Sequence, residues 1–97
     1  MIIINTFSYP IQSVDECVKC FMELVPFPDY ITEKGMYTRF AKKGIEGIHV
    51  LDVDDSKRSE ALEFIGKRIL AFSKVPGFKC ASNTWLTVED ALKMVDI

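Results

Sequence analysis

The sequence predicts an α+β fold in the order β-α-β-β-α-β, closed by a short C-terminal helix. Three observations predict it. Four stretches are rich in β-branched and aromatic residues. Two segments between them carry apolar residues at helical spacing, each opened by capping residues and stopped by proline. The chain has 97 residues, enough for a single domain (1–97) with one modest core. This is the ferredoxin-like split βαβ order. Right-handed crossovers place its antiparallel strands 4-1-3-2, with both helices on one face of the sheet.

Ile2 to Tyr9 is the first strand, stopped by Pro10; both its faces are apolar at one end, as in a central strand. Ser13-Val14-Asp15-Glu16 is a capping box, and Val14, Cys17, Val18, Phe21 and Val25 follow at about 100° per residue up to Pro26 and Pro28. Met36–Lys42 and Gly47–Val53 form the next two strands, with Lys43-Gly44-Ile45-Glu46 as a hairpin loop. Gly35 marks a turn or bulge, and Tyr30–Lys34 either extends the strand or forms a loop. Asp52, Asp54, Asp55 and Ser56 favour the start of a second helix over Ser59–Val75. Its main face is Ala61, Leu62, Ile65, Ile69 and Phe72, with Phe64 and Leu70 off that face. Phe78–Leu86 is the last strand, and Thr87 caps a terminal helix carrying Ala91, Leu92 and Val95.

Charge narrows the function classes. Fourteen acids against 12 bases give −2, without the clustered basic excess of a nucleic-acid binder. No apolar run approaches the roughly 20 residues of a membrane span, and no basic-then-apolar leader opens the chain, so the expected location is the cytoplasm. Cys17, Cys20 and Cys80 are an odd set. Cys17-Val18-Lys19-Cys20 sits a turn inside its helix on the apolar face, which reads as buried thiols rather than a redox or zinc motif. No metal is expected at Asp52, Asp54 and Asp55, and no pattern asks for a cofactor.

The apolar share, 48%, exceeds what one side of the sheet absorbs. The second sheet face has no helix to cover it, and the expectation is a homodimer through that face, enclosing a cavity.

With these elements in place, the chain resembles the dimeric α/β-barrel superfamily over nearly its whole length. The likeness rests on Gly47-Ile48-His49-Val50-Leu51-Asp52-Val53-Asp54-Asp55 running into a helix, and on Trp85-Leu86-Thr87-Val88-Glu89-Asp90-Ala91-Leu92. Short bacterial proteins of that fold are the nearest look-alikes. The resemblance implies a cavity between sheet and helices or between subunits. It admits cofactor-independent monooxygenases, muconolactone isomerases, haem-binding relatives and stress-induced proteins. No motif selects among these, so no catalytic residue is carried over.

Seven residues are candidates for a ligand pocket. Asn5, Phe7 and Tyr9 alternate on one strand face, a polar amide among aromatics; the competing reading is aromatic core around a satisfied Asn. His49, the only histidine, is a general base in one reading and a hydrogen-bonded sheet residue in the other. Arg39 either grips a ligand carboxylate or pairs with Asp52 across the hairpin. Tyr37 and Trp85 either stack on a planar ligand or pack, Trp85 at the dimer interface. Hairpin register decides the grouping. A four-residue loop puts Tyr37 and Arg39 with Val50 and Asp52; a five-residue loop puts them with His49 and Leu51. The function expected is binding of a small apolar or aromatic molecule, the alternatives being cofactor-free oxygenase or isomerase chemistry and a regulatory ligand-binding module.

Overall fold

The computed structural model describes residues 1–95. Four strands, β1 (Ile2–Tyr9), β2 (Ile31–Ala41), β3 (Gly44–Val53) and β4 (Lys79–Trp85), and three helices, α1 (Val14–Met22), α2 (Arg58–Leu70) and α3 (Val88–Val95), follow one another in the expected order. The sheet runs β2-β3-β1-β4 with every neighbour antiparallel, the same arrangement as 4-1-3-2 read from the other edge.

Both main helices stop earlier than their apolar spacing suggests, and for α1 proline is the reason. The Pro26 ring would strike the carbonyl four residues back, on Met22, so α1 ends there. Its last turn tightens through Glu23 and Leu24 amides donating to Cys20 and Phe21 carbonyls. α2 ends at Leu70, and the chain tightens into three-residue turns well before Pro76. Phe72 and Val75 then turn inward on short-range bonds, Phe72 N–H to Ile69 and Val75 N–H to Phe72. Ser13 does not form the expected capping box. It is buried, and its hydroxyl donates to the Pro76 carbonyl at 2.5 Å, tying the start of α1 to the α2–β4 connection. The Asp54 carboxylate does cap the turn before α2, accepting from the Ser56 amide at 3.0 Å, and these bonds hold its pKa below the usual carboxylate value. Thr87 accepts from the Asp90 amide at 3.0 Å and caps α3.

The hairpin is tighter than its glycine suggests. Ala41 pairs with Gly44, so the loop is Lys42–Lys43 alone and Gly44 belongs to β3. Gly44 has φ +149°, and a side chain there would run into the Tyr9 carbonyl. Odd residues of β2 therefore face even residues of β3: Tyr37 lies opposite Ile48, and Arg39 opposite Glu46 rather than Asp52. A bulge breaks this alternation. Glu33 lies opposite Leu51 and Gly35 opposite Val50, so Lys34 is the extra residue. Beyond it, Tyr30–Lys34 does not form a separate loop; Ile31 onward continues the strand.

The side of the sheet facing α1 and α2 carries two apolar clusters instead of one continuous core. Ile3, Ile31, Leu51 and Val53 pack with Ala61 and Ile65 of α2, with Phe27 and Phe64 against them. Phe64, off the main helical face by spacing, is thus part of the packing. Cys17, Cys20, Phe72 and Val75 form the second cluster, joined by Tyr9, Leu24 and Phe78. The opposite side of the sheet presents Ile2, Ile4, Ile48, Tyr37 and Trp85, the last two 62% and 53% exposed. No side chain of α3 is buried. Among the described residues no helix is long and apolar enough to cross a membrane.

Candidate functional site

Between the two clusters the space under the helices is open. A cavity of about 300 Å³ lies there, with strands β1 to β4 as floor and α1, α2 and the loop before β2 as walls. Its walls are Phe7, Phe21, Phe27, Phe72, Phe78, Leu24, Ile65 and Ile69. Polar groups are few: Asn5, Thr38, His49, Arg68, the Tyr9 phenol and the Cys17 and Cys80 thiols.

Period-two alternation aims Asn5, Phe7 and Tyr9 at this space, and register sets His49 directly across from Asn5. Phe7 also lies across Gly47, its strand partner, where any Cβ would meet the ring. The absent side chain lets the ring lie against the floor. Phe7, Tyr9 and Phe78 stack with centroids 6.2–6.4 Å apart, and Phe72 joins Phe78 at 4.8 Å.

The polar corner depends on the bulge. Because Lys34 is the extra residue, Glu33 shares the helix-facing side with Met36 and Thr38, and its carboxylate reaches His49 Nε2 at 2.6 Å. A carboxylate can only accept, so Nε2 carries a proton in this bond, and in the neutral ring Nδ1 is then the acceptor. His49 is 8% exposed and rests against Phe27, centroids 5.6 Å apart. Above it the Arg68 guanidinium lies 4.0 Å over the Phe27 ring and donates to the Val25 carbonyl. Burial lowers the Arg68 pKa, opposed by the nearby Glu33 charge. Asn5 is also 8% exposed, and its carbonyl oxygen is sealed from solvent with no hydrogen-bond partner.

Burial raises the pKa of the Cys17 thiol; the Tyr9 hydrogen bond pulls it down and Cys20 pushes it further up. Tyr9 and Cys80 are raised by burial as well. All three cysteines are free, Cys17 and Cys20 buried as thiols. Among the described residues no three His, Cys, Asp or Glu side chains converge as a metal site.

Of the seven candidates, Asn5, Phe7, Tyr9 and His49 line the cavity. Tyr37 and Arg39 lie on the helix-free face and line a second, more open pocket of about 630 Å³, where Arg39 pairs with Glu46 at 2.7 Å, exposed to water. Trp85 lies on that same face, opposite Ile2. Three further residues define the corner or its approach. Arg68 carried a readable signal, a charge at the i+3 position from Ile65 on the buried stripe of α2. Phe27 and Glu33 carried none, because a proline-flanked loop places one and a bulge the other.

No protein-family model matches the sequence. No curated protein matches it either. Among solved structures the chain is similar to a DUF3240 family protein from Shewanella baltica, at 14% identity over 89% of this chain and 97% of that one, with a TM-score of 0.35. The class is therefore set by this chain's own architecture: a small ferredoxin-like α+β protein with a cavity between sheet and helices.

Proposed function

We propose that this protein binds a small apolar or aromatic molecule in the cavity between α1, α2 and the sheet. One observation carries the reading: about 300 Å³ of space divides the core into two clusters and is walled by aromatics, with only a few polar groups. Interiors are normally packed to crystal density, so a gap of this size under two helices is costly unless something occupies it. Its volume lies at the small end of the roughly 300–1,000 Å³ of small-molecule sites, which suits one or two fused rings. The resemblance to dimeric α/β-barrel proteins, which implies a cavity between sheet and helices or between subunits, is consistent with this reading. Two copies pair through the helix-free face in this reading, hiding Ile48, Tyr37, Trp85 and the apolar stripe of α3 (Val88, Leu92, Val95). The test is native mass spectrometry of protein purified without denaturant, followed by organic extraction. A small apolar compound released on unfolding supports the proposal. An empty protein that also fails to take up one- and two-ring aromatics at millimolar concentration refutes it.

A second reading, cofactor-free oxygenase or isomerase chemistry, is favoured by the Glu33–His49 pair. A carboxylate bonded to one imidazole nitrogen orients and strengthens the other as a general base. That reading requires His49→Gln to abolish turnover of a compound that the variant still binds.

A further inference from the structure

The charge of the ligand's head follows from the cavity wall. We infer that the molecule held under the helices is an acid, a carboxylate on an apolar or aromatic body, with the carboxylate received by the Arg68 guanidinium. The inference rests on the reading of the cavity as a ligand site. Among the described residues, Arg68 is the one Lys or Arg that lines this space, and no Asp or Glu side chain lines it. The wall thus carries a positive charge with no negative one beside it, in surroundings of low polarity that strengthen its pull on an anion.

Arg68 is held in place without being neutralised. It donates to the Val25 carbonyl, and its guanidinium carbon lies 4.0 Å from the Phe27 ring centroid and 5.8 Å from that of Phe64. These contacts fix the group and supply no carboxylate. Among the described residues no acid lies within ion-pair distance of it. Its single hydrogen bond leaves most of the guanidinium fork unused, and that fork matches the two oxygens of a carboxylate. Glu33 is the acid whose field reaches Arg68, but it is bonded to His49 at 2.6 Å and its side chain is 50% exposed, so water screens it. Arg68 is itself half-buried rather than sealed. A carboxylate placed on it keeps part of its hydration while the ring enters the space walled by Phe7, Phe72 and Phe78, so the full cost of burying an ion is avoided.

The experiment is calorimetric titration of the whole chain at about pH 7 with probes of one shape and three charges: indole-3-acetate, indole-3-acetamide and tryptamine, then phenylacetate, phenylacetamide and phenethylamine. The acid of each set is expected to bind at least about tenfold more tightly than its amide, with the amine weakest. In Arg68→Gln the acid is expected to fall to within about twofold of the amide, while the amide keeps its affinity. On the natural chain, raising NaCl from about 0.05 to 0.5 M should weaken the acid and leave the amide unchanged, a readout that needs no variant to fold. Equal affinities for acid and amide overturn the inference and leave the cavity reading intact. So does an acid preference that survives in folded Arg68→Gln, and so does tightest binding of the amine. If no probe binds at millimolar concentration, the cavity reading falls and the inference with it.

Discussion

Replacing Asn5 by Leu should make this protein more stable, although Asn5 lies on the central strand of the sheet. The side chains are nearly equal in size, so the change removes an amide without opening a void. In the folded chain the Asn5 carbonyl oxygen is sealed and unbonded. A buried acceptor left without a partner costs about 1–3 kcal/mol relative to its hydrated state in the unfolded chain. Leu removes that cost and adds apolar surface to an apolar cavity. Allowing for side-chain adjustment, the expected net gain is about 1–2 kcal/mol. For a domain of this length that corresponds to a rise in Tm of about 5–15 °C. Thermal melts and urea titrations followed by circular dichroism, on protein stripped of small molecules, measure it. A loss of more than about 0.5 kcal/mol would refute the reasoning, since it would mean that Asn5 is satisfied in the fold and holds it together. Most buried substitutions destabilise, so the sign is diagnostic.

The other predictions are of different kinds. Ser13→Ala removes the hydroxyl that joins α1 to the Pro76 carbonyl and should cost about 1 kcal/mol, read as a lower urea midpoint; no change would leave the tie without energetic weight. Gly47→Ala should push the Phe7 ring off the sheet, costing about 1–3 kcal/mol and weakening aromatic probes in calorimetry; unchanged affinity would mean the ring position is irrelevant to the cavity. Cys17, Cys80 and Tyr9 titrate higher in the folded chain than in the unfolded one, so their neutral forms favour folding. Stability should hold below the ordinary thiol value of 9.0 and decline as pH rises through the raised folded values, with Cys17→Ala and Cys80→Ala flattening the decline in melts between pH 8 and 11. Light scattering at micromolar concentration should give twice the chain mass, and a clean monomer would remove the paired-sheet proposal.

Element identity was legible because it is local. The Ile2–Tyr9 run, the stops at Pro10 and Pro26, and the Thr87 cap each act within a few residues. The site was legible only along β1 and at His49, where alternation and burial point the same way. Arg39 and Tyr37 join His49 only with a five-residue loop; the four-residue loop at 43–46 already opposes odd to even residues, as the structure does. The actual loop, Lys42–Lys43, puts both residues on the far face. Glu33 could not be placed from its neighbours, because the single extra residue Lys34 reverses the alternation between it and Met36.

Spacing along the chain by itself determined the order of strands and helices, and handedness then dictated the sheet order and the side on which α1 and α2 lie. Both follow from backbone geometry that every chain of L-residues shares. Tertiary structure alone decided that the core divides, that Phe27 and Glu33 meet His49 at the edge of the gap, and that the Asn5 oxygen has no partner. Those outcomes depend on a one-residue register and on helices that stop at Met22 and Leu70. A shift of one residue turns a side chain from one face of a sheet to the other, so small local differences carry no trace in composition or periodicity yet settle which groups meet.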